Sequence, residues 1–105
     1  MDKKPISKHY IISLTHTAHR DKFITLWRPK NAGYCLSFEN AGVYDNYEVG
    51  YHDSNGNMPI TVEEANLLST VSLYEGKIKT FIPNNKSVLK KLSLKRIKGE
   101  LTRIL

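Results

Sequence analysis

Residues 9 to 15 alternate in polarity, with Tyr10, Ile12 and Leu14 on one face and Ile11, Ser13 and Thr15 on the other. Residues 22 to 28 repeat the pattern, Phe23, Thr25 and Trp27 lying opposite Ile24, Leu26 and Arg28. A period of two sends successive side chains to opposite faces of an extended chain, so both segments read as strands. The polar His16-Thr17-Ala18-His19-Arg20-Asp21 between them is short enough for a hairpin loop. Pro29 ends the second strand, Asn31-Ala32-Gly33 turns the chain, and residues 34 to 38 return as a third strand. Residues 39 to 59 keep no sustained period and read as one long loop. Loops beyond about 12 to 15 residues inside a small domain usually carry function.

Thr61-Val62-Glu63-Glu64 has the spacing of a capping box, and Ile60 precedes it as a staple for Ala65. The expected helix covers 62 to 74, with Leu67, Val71 and Tyr74 as its apolar stripe and Gly76 as its stop. Residues 77 to 82 alternate again and read as a fourth strand before Pro83-Asn84-Asn85 breaks the chain. Leu94, Ile97, Leu101 and Ile104 then recur at three and four residues, with Leu105 at the edge of the stripe. That spacing predicts an amphipathic C-terminal helix with a basic back. Val88, Leu89 and Leu92 fall off this stripe, which places a break near Ser93. Gly99 within such a helix costs about 1 kcal/mol relative to Ala. The pattern predicts an α+β domain: a three- to four-stranded antiparallel sheet with two helices on one face.

Length fits one domain, 1 to 105, because a 105-residue chain has surface enough for a single core. No apolar run approaches the roughly 18 residues of a membrane span, so no membrane partner is expected. The charged Met1-Asp2-Lys3-Lys4-Pro5 leads into a short apolar run that reads as a strand rather than the core of a signal peptide. The single cysteine, Cys35, sits in an apolar alternation and reads as a small buried hydrophobe; one thiol builds no disulfide framework, as suits a reducing cytoplasm. Charge is more informative. Of 16 Lys and Arg, seven fall within residues 84 to 105 beside Glu100 alone, leaving nine of each sign in the rest of the chain. A neutral body with a basic C-terminal segment points to an acidic partner, DNA or RNA or an acidic protein surface. The residues that would meet it are Lys90, Lys91, Lys95, Arg96, Lys98 and Arg103.

Catalytic patterns are sparse. His16, His19 and His52 with Asp53 are the nearest set to a metal site, but they lie on two loops that nothing in the sequence brings together, so no metal and no cofactor are expected. Asp45, Glu48 and Asp53 read as solubilising charges, and no glycine-rich phosphate loop is present. The chain reads as a non-enzyme. Its densest feature is aromatic: Trp27 shares a strand face with Phe23 and reads as core, whereas Arg28, Tyr44, Tyr47, Tyr51 and His52 read as partner-binding residues. The seam of Leu94, Ile97, Leu101 and Ile104 would also serve a homodimer.

Over residues 9 to 68 the chain resembles small bacteriophage- and prophage-encoded accessory proteins, through Trp27-Arg28-Pro29, Gly33-Tyr34-Cys35 and Ala41-Gly42-Val43-Tyr44. The resemblance implies a protein of the host bacterial cytosol that binds and inhibits or redirects a host protein or nucleoprotein complex, as anti-CRISPR and other anti-defence inhibitors do. It brings no catalytic residues. A small basic nucleic-acid-binding protein is the alternative, and it predicts affinity that falls linearly with salt on a double-logarithmic scale.

Overall fold

The structure is a computed structural model that describes residues 8 to 45, 47 and 50 to 104. Residues 1 to 7, Glu48 and Leu105 lie outside the described residues, and with them the N-terminal segment, one carboxylate of the loop and the end of the C-terminal stripe. Among the described residues eight strands run in chain order: β1 (His9–Ser13), β2 (Leu26–Trp27), β3 (Tyr34–Cys35), β4 (Asn57–Thr61), β5 (Thr70–Tyr74), β6 (Lys77–Phe81), β7 (Leu94–Ile97) and β8 (Glu100–Arg103). Helix α1 (Val62–Leu68) lies between β4 and β5, and helix α2 (Lys86–Lys91) between β6 and β7. The sheet is antiparallel with order β3-β2-β1-β4, and β5-β6 and β7-β8 form separate hairpins.

The central strand is β1, which is fully paired with β4 from His9↔Thr61 to Ser13↔Asn57. The sequence reading gave β4 to the long loop; its burial alternates, with Met58 and Ile60 inward, but Pro59 masked the period. Pro59 is tolerated because β4 is the sheet edge. The early part of the predicted second strand pairs elsewhere: Ile24 N–H donates to Ile82 O at 2.9 Å, Asn84 N–H to Lys22 O at 3.0 Å, and Phe23 bridges Pro83. The core gathers Ile12, Leu14, Ile24, Leu26 and Ile60 with Ala65, Ile82, Val88, Leu94 and Leu101. Trp27 is buried as its strand position predicts, and so is Cys35.

Helix α1 begins where the capping box places it, the Thr61 hydroxyl accepting from Glu64 N–H at 3.1 Å. It ends six residues early. Ser69 hydroxyl donates to Asn66 O at 2.8 Å, and the β-branched and hydroxyl residues that follow are poor helix formers, so residues 70 to 74 extend as β5. The predicted stripe is consequently not a core face: Leu67 is 87% exposed and Val71 66%. The turn of the hairpin, Glu75-Gly76, has positive φ at both residues. Phe81 anchors the hairpin from beneath, stacked on Phe23 with centroids 4.1 Å apart and edge-on to Tyr74 at 5.5 Å.

The C-terminal helix is likewise replaced by a hairpin, which removes the second of the two helices placed on one face. The break at Ser93 is present, with φ 56°. Beyond it β7 and β8 pair Leu94↔Arg103 and Arg96↔Leu101 on the inward side, leaving Lys95, Ile97, Glu100 and Thr102 on the other. Leu94 and Leu101 are buried, whereas Ile97 and Ile104 are about half exposed, so the proposed dimer seam does not exist as one stripe. Lys98 and Gly99, at φ 53° and 82°, make the two-residue turn with both central residues left-handed that matches strand twist. Gly99→Ala therefore tests the architecture by sign. In a helix it stabilises by about 1 kcal/mol; here, with no neighbour to clash and only the backbone against it, it is expected to destabilise by about 1 kcal/mol or more, read as a urea midpoint.

Glu39 joins the sheet to the β5-β6 hairpin. One carboxylate oxygen accepts from Thr80 N–H and the other from the Thr80 hydroxyl, both at 2.9 Å, beside Phe38 N–H donating to Thr80 O at 2.8 Å. Desolvation pushes the Glu39 carboxyl up, but the hydrogen bonds to Thr80 and its own backbone, with Lys79 nearby, outweigh it and hold the pKa below the usual value. A depressed folded-state pKa adds stability above the unfolded value of about 4.3, and that stability is lost as pH falls through the folded value. Glu39→Gln is expected to lower stability at neutral pH and to converge on the parent in acid; equal differences at both pH values would refute the assignment.

Candidate functional site

The aromatic segment folds into a buttressed turn. Residues 29 to 31 form a 3-10 turn in which Lys30 and Asn31 hold φ of 56° and 57°. Left-handed backbone at two successive non-glycine residues is costly and persists only where surroundings fix it. Tyr44 and His52 do so. The Tyr44 hydroxyl donates to Arg28 O at 2.5 Å and accepts from Asn31 N–H at 3.0 Å, and His52 Nε2 shares a 2.7 Å hydrogen bond with Asn31 Oδ1. Gly42 passes so close to Pro29 that an added Cβ would lie 2.7 Å from the proline Cα, a contact no rotamer relieves.

This placement divides the predicted partner-binding residues. His52 is 2% exposed and Tyr44 half-buried, so both serve the turn rather than its surface. Tyr47 is also half-buried, its ring edge-on to His9 at 4.9 Å. Arg28 and Tyr51 are exposed. Arg28 Nε donates to Tyr34 O at 2.9 Å, and Tyr34 and Tyr51 flank Trp27 with centroids at 4.8 and 5.8 Å. Trp27 itself is fixed by its indole N–H donating to Asn57 Oδ1 at 2.9 Å. Two exposed tyrosines over a buried Trp, edged by Arg28, form the surviving aromatic surface.

The histidines go to separate duties. His16 Nδ1 shares a 2.9 Å hydrogen bond with the Ser13 hydroxyl, and its ring stacks on Tyr34. Ser13 is fully buried and its hydroxyl also takes the His16 N–H, so this pair closes a turn and offers no nucleophile to a substrate. Among the described residues no three of His, Cys, Asp and Glu are grouped to hold a metal. Burial raises the Cys35 pKa, with Arg28 and Lys79 acting weakly in the other direction, so the thiol stays protonated. Asp53 is ion-paired with Arg103 rather than gathered with Asp45.

The basic segment separates by residue type. Arg96 is a brace: its guanidinium donates to Thr17 O at 3.2 Å, Ala18 O at 3.0 Å and Asn84 Oδ1 at 3.3 Å. Arg103 is another, on Asp53 and Ser54 O. A planar fork that meets several carbonyls at once suits such internal work. Lys90, Lys91, Lys95 and Lys98 are exposed, and Arg103 to Asp53 is the one ion pair among the described residues. Sequence reasoning had credited all six with the same role.

Between α2 and the β7-β8 hairpin lies a groove of about 490 Å³. Its floor is apolar, from Leu89, Leu94 and Ile104, and its rim carries Lys86, Lys90 and Lys95. No carboxylate is among the residues that line it. Asn85 sets the helix that forms one wall, its side chain accepting from Val88 N–H at 2.9 Å. The floor residues come from α2, β7 and the position after β8, and the helical reading of 94 to 105 put Leu89 off the stripe; only the Lys98-Gly99 turn signal, taken as a hairpin, would have revealed the groove. Comparisons with protein-family models, with curated proteins and with solved structures found no match to this chain.

Proposed function

We propose that the protein is a non-enzymatic binding protein of the bacteriophage accessory kind, which inhibits or redirects a host complex by seating an acidic, apolar-bearing segment of it in the lysine-rimmed groove. The observation that carries this reading is the combination in one concavity of Leu89, Leu94 and Ile104 with Lys86, Lys90 and Lys95. A phosphate backbone has no use for an apolar floor, whereas a peptide alternating apolar and acidic side chains satisfies floor and rim together. Lys91 and Lys98 extend the positive field outside the groove and steer the encounter. An antiviral nucleoprotein, CRISPR-like complexes included, is the host target this reading favours, with the bacterial cytosol as its place of action.

Direct nucleic-acid binding is the second reading, favoured by the exposed Tyr34 and Tyr51 beside Arg28. Capture of tagged protein from bacterial lysate with and without nuclease separates the two. A host complex retained after nuclease treatment supports the groove; recovery that disappears with nuclease, together with a steep salt slope, moves the function to DNA or RNA.

A further inference from the structure

Among the described residues, each sheet edge but β5 carries a guard against pairing with another chain, β6 through Lys77 and Lys79. The edge strand β4 contains Pro59, and β3 is two residues long. Strands β7 and β8 carry Lys95, Arg96, Glu100 and Arg103. Strand β5, Thr70-Val71-Ser72-Leu73-Tyr74, has no charge, no proline and no bulge in its pairing with β6. These are the devices by which edges are ordinarily kept from self-association, and β5 lacks all of them.

Its hydrogen-bonding groups point outward at known residues. Thr80 gives its N–H to Glu39 and takes the Phe38 N–H on its carbonyl, both on the side away from β5. Thr80 and its partner Val71 are thus a non-hydrogen-bonded pair, as is Leu73 with Ile78 two residues on. The N–H and C=O of Val71 and Leu73 therefore face the open side, where no described residue meets them. On the outward face the same stretch leaves Val71 66%, Leu73 68% and Ile78 69% exposed, with Leu67 at 87% just before it.

We propose that β5 is a homodimer edge: two copies pair β5 antiparallel about a two-fold axis at Ser72, joining their hairpins into one sheet of order β6-β5-β5-β6. The choice of a second copy follows from self-complementarity. Groups that point outward must meet groups that point outward, so Val71 pairs with Leu73 of the second copy and Leu73 with its Val71. The same register sets Ser72 against Ser72 and Thr70 against Tyr74, apolar on apolar and hydroxyl on hydroxyl. The surroundings do not repel: residues 62 to 83 hold three Glu and two Lys, while the positive excess lies in residues 84 to 105. A two-stranded hairpin gains from becoming four-stranded.

Sedimentation velocity across a concentration series tests the pairing on the full chain. A monomer–dimer equilibrium is expected, and Val71→Lys with Leu73→Lys is expected to abolish the dimer while leaving the far-ultraviolet circular dichroism unchanged and the urea midpoint close to that of the parent at dilutions where the parent is monomeric, since both side chains are already exposed. Ser72→Cys is expected to form an intermolecular disulfide on mild oxidation, because Ser72 faces its own counterpart across the axis, whereas Thr70→Cys is not. A parent chain that stays monomeric overturns the proposal and leaves the edge to a strand of another protein. A dimer that survives the double lysine variant, or one in which Ser72→Cys fails to cross-link, overturns it as well.

Discussion

Phe81→Ala is expected to destabilise the domain by about 3 to 5 kcal/mol, the range for deleting a buried aromatic. Phe81 is fully buried and touches two other rings, Phe23 from the loop that enters β2 and Tyr74 from its own hairpin. Truncation removes the apolar area of the ring and leaves a cavity that Phe23 and Tyr74, held on separate backbones, can close only in part. Small domains have about 5 to 15 kcal/mol in total, so the variant should be partly unfolded at modest urea. Urea midpoints followed by circular dichroism give the value. A loss below about 1 kcal/mol, the range of surface substitutions, would mean that the β5-β6 hairpin is not packed through this residue.

Reversing the groove rim, Lys86→Glu with Lys90→Glu and Lys95→Glu, is expected to weaken partner binding by roughly 100-fold or more, because an acidic segment then meets three like charges at close range. All three lysines are exposed, so thermal stability should change little. Reversing Lys91 and Lys98, which lie outside the groove lining, is expected to slow association with a much smaller loss of affinity. Titration of the captured host component against the three proteins measures this. Equal loss per lysine, whether in or out of the groove, would contradict the groove reading and match a diffuse phosphate-binding surface.

The first strands were legible as strands from their alternation, but the extent of their burial was not: Ile11 and Ser13 are as buried as Tyr10 and Ile12, so β1 is covered on both faces. Tyr10, Ile12 and Leu14 announced β1, and Trp27 announced its own burial. The α1 N-terminus was legible because Thr61 caps Glu64 through local geometry alone. The C-terminal hairpin was not, for a reason that lies in the numbers. Leu94, Ile97 and Leu101 fit a helical stripe, yet the inward set of the hairpin is Leu94, Arg96, Leu101 and Arg103, and two of those four are arginines. An inward arginine is invisible to a hydrophobic pattern, because its burial depends on carbonyls of Thr17, Ala18 and Ser54 far off in the chain. The same blindness hid β5, whose outward aliphatics look like a core stripe. Exposure of the lysines was legible; that three of them ring a concavity was not, since its floor is assembled from α2, β7 and the residue after β8.

The two arginine braces bear on how the chain folds as it is made. Arg96 reaches back 79 and 78 residues to Thr17 and Ala18, and Arg103 reaches back 50 to Asp53. Leu94 and Leu101, in the same hairpin, complete the core over Ile12 and Leu26. Contacts of that sequence separation belong to the slow class of small domains, folding in about milliseconds to seconds rather than microseconds. On the ribosome the constraint is stricter: at about 5 to 20 residues per second, the apolar face of β1 and β2 waits several seconds for the hairpin that covers it. The core is complete only after residue 103 has emerged, and until then the apolar face that Leu94 and Leu101 cover stands open.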